Sequence, residues 1–491
     1  LFNGQFDPQG NGMPTTVYFG DYLVGAEPPT IPTSFTVPGG HASISRLRVE
    51  HGDFTFRFAS SSGTPQGSLT TAAQMVIADI ANSTASLTVR DGRLTTNFVT
   101  HIASGSNSNG AITVSGLGAE WINSAYVDLG WVGQGTMRVL DGAQAHIGDG
   151  IGAGIRDGSS GRIEVAGGGQ LRVDGAISLG SGDESTGNTH GSLLLEGSGS
   201  LVATANMYVG ATGAGNAVVR QGATLRADDL LRIGASVGSC SLVASNGAVV
   251  EAREVSVGLN AASRNNTVDL NGTGTLLRVG ANLSLGANGS AGHLAVINGA
   301  RVVVTGDTYL GIGGGSEGTV AIDGANSALL SRNVFVGQDG STAIATLRNG
   351  AQIQVTDSVR VRAGGSLSGN GVIIGNLVNE GGFISPGLSP GLLSVQGSLE
   401  LWSSSVVHME IGGSTPDLFD RLMITGNASL AGTLILDFTG GFVPSPGSRF
   451  DIISAGGTFS GNFNAFDIRG IDPSLVSVSN AGGSFGVNIV P

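Results

Sequence analysis

Few side chains in this sequence are equipped for chemistry, and most of those stand far apart. Charged residues make up only 12% of the 491. The acids worth weighing are Asp228 and Asp229, which stand near Arg226 and Arg232, with Glu251 and Arg253 one repeat further on. Several carboxylates and a basic residue on one outer face are what a site for cleaving acidic polysaccharides requires. The same residues on a solvated face make cross-strand charge pairs, which is the simpler reading. Asp183-Glu184 falls in a variable stretch and reads as solvated. The seven histidines, His41, His51, His101, His146, His190, His293 and His408, lie in different repeats. No two have metal-ligand spacing on one strand, so each reads as a surface residue and no metal is expected. There is no G-x-S-x-G, no GK[ST] loop and no H-E-x-x-H. Gly311–Gly315 could mimic a phosphate loop, but no helix follows it, so it reads as a turn. Trp121, Trp131 and Trp402 could stack on sugars, although packing in the core or at corners is the expectation. Cys240 sits in the strand-like run CSLVASNG and reads as a packed, inert thiol. With one cysteine there is no internal disulfide. None of the 23 basic residues is Lys, which excludes a Schiff-base lysine, a P-loop lysine and a Lys–Asn cross-link. No cofactor is expected.

The elements that would position these residues are written as a repeat. In His293–Gly311, Leu294 and Val296 alternate with polar or small neighbours. Asn298-Gly299 supplies a turn, Ala300, Val302 and Val304 resume the alternation, and Tyr309-Leu310-Gly311 closes the unit. The wording recurs at 319–337 and 345–362. Turn glycines can be followed as Gly92, Gly142, Gly222, Gly247, Gly272, Gly299, Gly324 and Gly350. Closing glycines run Gly130, Gly180, Gly210, Gly234, Gly258, Gly286, Gly311 and Gly337. The period of about 25 residues is that of a solenoid. Strands without helical periodicity predict an all-β parallel β-helix, one coil per unit, with about ten or eleven units between residues 80 and 365. Stacked at roughly 4.8 Å per rung, they would make a rod of about 50 Å. Gly at 84 residues argues against helices, and hydrophobic residues at 40% argue against disorder. Ser181–His190 and Ala261–Asn266 should bulge from one corner.

Three regions follow. Residues 1–75 hold seven prolines and the aromatic pairs Tyr18/Phe19 and Phe54/Phe56, and read as an N-terminal cap with atypical first coils. Residues 76–365 are the β-helix repeats. Residues 366–491 carry the Ser385-Pro386-Gly387 and Ser389-Pro390-Gly391 doublet and longer hydrophobic strands, and read as a C-terminal β-rich capping domain. The net charge of −13 disfavours nucleic acid. No apolar run is long enough to span a membrane. The opening Leu1-Phe2-Asn3, without Met, is what a processed product would show, and it fits other origins equally well.

The unit L-x-V-x-N-G-A, with SLTVRDG at 86–92, NMYVG at 206–210 and NVFVG at 333–337, resembles the repeat of autotransporter passenger domains and bacterial PEP-CTERM proteins. SPGLSPGLLSVQGSLEL and Asp417–Phe438 resemble the segment that follows those repeats, over about residues 43–465 in all. The resemblance implies a right-handed coil, export to the cell surface or beyond, and no catalytic residues. Asp417 and Asp420 match acids of that terminal segment and read as structural groups or weak calcium ligands.

Three functions compete. The first is a non-enzymatic extracellular subunit that self-associates, head to tail through its coil ends, into a filament or matrix, with the Pro-rich N-terminal segment as the donated element. The second is a surface adhesin for glycans, which predicts binding that depends on an exposed aromatic such as Trp121. The third is a polysaccharide-cleaving enzyme, which predicts activity that depends on Asp228 or Asp229.

Overall fold

The computed structural model describes residues 47–490 except 59–66, 183–187, 237, 339 and 388, with backbone alone at 57–58 and in the strands Val17–Phe19, Ser34–Val37 and His41–Ile44. The described chain is almost wholly strand, with one 3-10 turn at Pro473–Leu475. It forms a parallel β-solenoid of about 15 coils of ~25 residues between residues 47 and 438. No described helix is long and apolar enough to cross a membrane.

One coil shows the construction. A long strand, Asn109–Ser115, turns into a middle strand, Glu120–Asn123, and then a short strand, Val127–Leu129. Each pairs in parallel with its counterpart one coil away: Ile112 with Met137, Trp121 with Ala145, Val127 with Ile151. Period-2 alternation decides the faces. In the long strand Gly110, Ile112 and Val114 point inward while Ala111 and Thr113 are half-exposed. The Asn-Gly turn, which ordinarily signals a hairpin, makes a corner between ladders instead. Asn298 and Gly299 take φ of 56° and 85°, and the Ala300 N–H donates to the Ile297 carbonyl at 3.2 Å.

The chain divides into two compact units, residues 1–253 with 262–266, and residues 254–261 with 267–491. In the first, apolar columns run unbroken: Leu87, Ile112, Met137, Ile163 and Leu193 pair rung to rung, and all are buried. Trp121 lies wholly inside, its Nε1–H donating to Thr96 Oγ1 at 3.0 Å, and Thr96 Oγ1 donates in turn to Asn123 Oδ1 at 2.7 Å. Two glycine rows meet at one corner. The closing Gly154 has φ of 70°, and the inward Gly161 of the next long strand lies so near that a methyl there would fall 2.6 Å from the Gly154 nitrogen. Gly135, Gly191 and Gly215 abut the closing glycines Gly130, Gly180 and Gly210 in the same way. Cys240 occupies the rung after Gly215, 1% exposed, its thiol pushed up by burial and its Sγ filling the space over Gly210. Within Ala261–Asn266, only part of the segment projects. Ser263 and Asn266 turn inward and bond to one another at 2.9 Å, and Ser263 Oγ donates to the Gly234 carbonyl. The segment 181–190 lies partly outside the described residues.

In the second unit the long ladder continues through Gly365–Gly369, Phe383–Pro386, Val406–Ile411, Thr433–Phe438 and Ala465–Arg469, all parallel. Coiling therefore persists well beyond residue 365, where the repeat wording fades. Antiparallel pairing enters with the strands Val476–Ala481 and Ser484–Ile489, which form a hairpin on Arg449–Ala455. Phe450 anchors this end, with Phe419, Phe438 and Phe442 set edge-on around it.

Candidate functional site

The sequence candidates fall on an outer face of the first unit, where middle and short strands fuse into long bulged strands, Gln170–Leu179, Leu201–Val209 and Thr224–Ile233. Arg226 Nε donates to Asp228 Oδ1 at 2.7 Å, and Arg253 Nε to Asp229 Oδ1 at 2.6 Å. Arg232 lies 5.9 Å from the Tyr208 ring centre, on the short-strand side of the bulge. The candidates are thus split: Arg226–Asp228 lies within one strand, Arg253–Asp229 bridges from the next coil, and Arg232 stacks on Tyr208. Asp228 and Asp229 side chains are about half exposed, at 56% and 46%. Exposed pairs of this kind are worth about 0–1 kcal/mol. Asp228→Ala is accordingly expected to change unfolding free energy by less than about 1 kcal/mol in denaturant melts.

Taken one strand at a time the histidines stand alone, but stacking of the coils brings three of them beside carboxylates. His101 Nδ1 lies 2.7 Å from Asp128 Oδ2, and the two residues are register partners. His146 Nε2 lies 2.9 Å from Asp174 Oδ2, and His408 Nε2 lies 3.7 Å from Asp437 Oδ2. His293 Nδ1 instead meets Thr319 Oγ1 at 2.7 Å. A His and an Asp about one repeat apart was the available signal. Around His101 the setting is dense: Trp131 stands edge-on at 5.9 Å, and the Arg156 guanidinium covers Trp131 at 4.9 Å. The Tyr126 hydroxyl is pushed up to about 12 by burial and by the nearby carboxylates of Asp128 and Asp149. A methyl on Gly150 or Gly152 would strike the Tyr126 ring or hydroxyl, so both glycines make room for it.

The three tryptophans have three different fates. Trp121 is fully buried, so it is not the exposed aromatic the adhesin reading required. Its indole N–H is satisfied inside the coil, which explains why a bulky aromatic is tolerated there. Trp131 is half-buried, and its ring carries Arg156. Trp402 is the exposed one, at 47%, with its Nε1–H donating to Glu400 Oε1 at 2.9 Å. Asp417 and Asp420 do not converge. Asp417 is exposed, its carboxyl held below the usual range by a hydrogen bond from Thr415. Asp420 is fully buried and accepts the Gly391 and Glu410 N–H groups at 2.8 and 2.9 Å. Its oxygens are spent on backbone, which makes it structural. Among the described residues no group of three His, Cys, Asp or Glu could hold a metal ion. Asp183-Glu184 lies outside the described residues.

A different feature stands at the C-terminal end. Leu294, Val320, Ala345, Leu367, Ile384, Val407 and Leu434 form an inward column along the long ladder, and each is buried to 2% exposure or less. The next register partner is Phe466, which is 39% exposed. Among the described residues nothing pairs with the far edge of Ala465–Arg469 or of Phe459–Gly461. No protein-family model matches the chain, and no curated protein matches it significantly.

Proposed function

We propose that this chain is a non-enzymatic extracellular structural protein, a β-solenoid subunit that stacks on copies of itself end to end into a filament or surface matrix. The observation that carries this reading is the unfinished core column. Phe466 sits at an inward position, yet among the described residues no rung covers it, and two of the three ladders end in an edge that no described strand pairs with. A row of free N–H and C=O groups beside exposed apolar side chains is a template for another strand. The terminal hairpin closes only the ladder that ends at Arg449–Ala455. The other end offers matching rungs. Val17–Phe19, Ser34–Val37 and His41–Ile44 each pair in parallel with their own chain's first coils, so at 17–19 and 34–37 the N-terminal segment is a first rung and not a free strand. Association is then rung on rung, first upon last. The extracellular setting rests on the resemblance of the repeat wording.

Negative-stain electron microscopy and light scattering of the untagged protein test this. Wild type should form fibres or concentration-dependent oligomers. Phe466→Lys, which places a charge on the open edge, should leave monomers with an unchanged strand signal in circular dichroism. Monomeric wild type, or fibres that survive Phe466→Lys, would refute end-to-end stacking.

A further inference from the structure

The fused strands of the first unit build a groove that end-to-end assembly does not need. Arg172, Ala203 and Arg226 are register partners on three successive rungs, and so are Gln170, Leu201 and Thr224. The outer rungs each carry Arg-x-Asp, Arg172 with Asp174 and Arg226 with Asp228. The middle rung carries small or apolar residues, Leu201, Ala203 and Ala205, each half-buried.

A length difference deepens the step. Between the middle-strand and short-strand portions, the outer rungs have two residues, Asp174-Gly175 and Asp228-Asp229. The central rung has Ala205 alone, and the register shifts there in both pairings. The central coil is one residue shorter at its bend, so its neighbours stand proud of it. The result is a groove of about 280 Å³ running along Leu201–Ala205, walled by Gln170, Arg172 and Asp174 on one side and Arg226 and Asp228 on the other. Its walls lie two rungs apart, about 9–10 Å between backbones.

We infer that this groove binds a segment of an uncharged polysaccharide lying along the coil. Each wall presents guanidinium donors beside carboxylate acceptors, and sugar hydroxyls both donate and accept. The methyl-bearing floor suits the C–H faces of sugar rings. The two arginines and two aspartates balance, so a charged polymer gains on one residue of each wall and loses on the other. A polyanion also meets the net charge of −13. The backbone of all three rungs is already committed to ladder pairing, so an extended peptide would find no strand edge here.

The test is affinity electrophoresis of the full chain in gels containing a soluble β-glucan, dextran or hydroxyethylcellulose, with polygalacturonate and gelatin as the acidic and peptide polymers. At least one uncharged polymer should retard the protein. Ala203→Tyr, which fills the floor with an outward side chain, and the double variant Asp174→Asn, Asp228→Asn, should each weaken that retardation at least tenfold. Ala321→Tyr, on an outward position of the second unit, should not. The proposal is overturned if no uncharged polymer retards the protein, if retardation is confined to polygalacturonate or gelatin, or if Ala203→Tyr binds as wild type does. Phe466→Lys should bind as wild type, which keeps the groove's outcome separate from that of assembly.

Discussion

Gly161→Ala should lower the unfolding temperature by about 5–10 °C, and Gly158→Ala, three residues earlier, by clearly less, about 1–4 °C. The pair separates two reasons for a glycine. Gly158 has φ of 76° but nothing within 4 Å of where a methyl would go. An Ala there bears the left-handed backbone, about 1–2 kcal/mol, partly offset by a less flexible unfolded chain. Gly161 has an ordinary strand backbone, but its methyl would sit 2.5 Å from Ala153 Cα and 2.6 Å from the Gly154 nitrogen. These are backbone atoms of the coil corner, and they cannot rotate away. Overpacking against them should cost about 2–3 kcal/mol. Thermal melts of both variants by circular dichroism decide the matter. Equal shifts would mean that the corner gives way freely.

The second large effect is expected with pH. Burial, opposed by the Gly391 and Glu410 N–H bonds and joined by the nearby Glu410 carboxylate, pushes the Asp420 carboxyl up to about 7. In an unfolded chain it would titrate near 4. Between those values the folded protein holds a proton that the unfolded chain has lost, so stability falls as pH rises from about 4 to about 7 and then levels. Three units correspond to roughly 4 kcal/mol. Other groups act in the opposite sense, notably Asp307, held low by Arg332. The readout is therefore the difference between wild type and Asp420→Asn. An amide can accept only one of the two N–H bonds, so the variant starts lower by about 1–3 kcal/mol. Its disadvantage should shrink steadily in urea melts taken from pH 4.5 to pH 7.5. A pH-independent difference would show that Asp420 is ionised throughout.

The parallel solenoid was legible because the repeat states its own geometry. Leu294, Val296, Val302 and Val304 alternate on either side of Asn298-Gly299, and all four prove to be inward. What escaped was everything set by the neighbouring coil. His101 and Asp128 are unrelated in a single-strand reading and partners in register. Trp121 looks like any aromatic until Thr96, one coil away, accepts its N–H. The persistence of coiling beyond residue 365 was hidden because Ile384, Val407 and Leu434 keep the inward face while the turn glycines change. The groove was invisible for the same reason, since it arises from a one-residue difference between adjacent bends.

The register of the long ladder has an evolutionary corollary. Gly110, Gly135 and Gly161 are successive partners, and the residues before them, Asn109, Gln134 and Ser160, are partners too. Excising residues 135–160 would join Gln134 to Gly161 without turning any inward side chain outward. A single deletion within the same strand would invert every face after it. Such a gene can therefore lengthen or shorten by whole coils through unequal recombination, or change by single residues at bends such as Ala205, but not within a strand, so the number of coils is a dimension along which its descendants are free to vary.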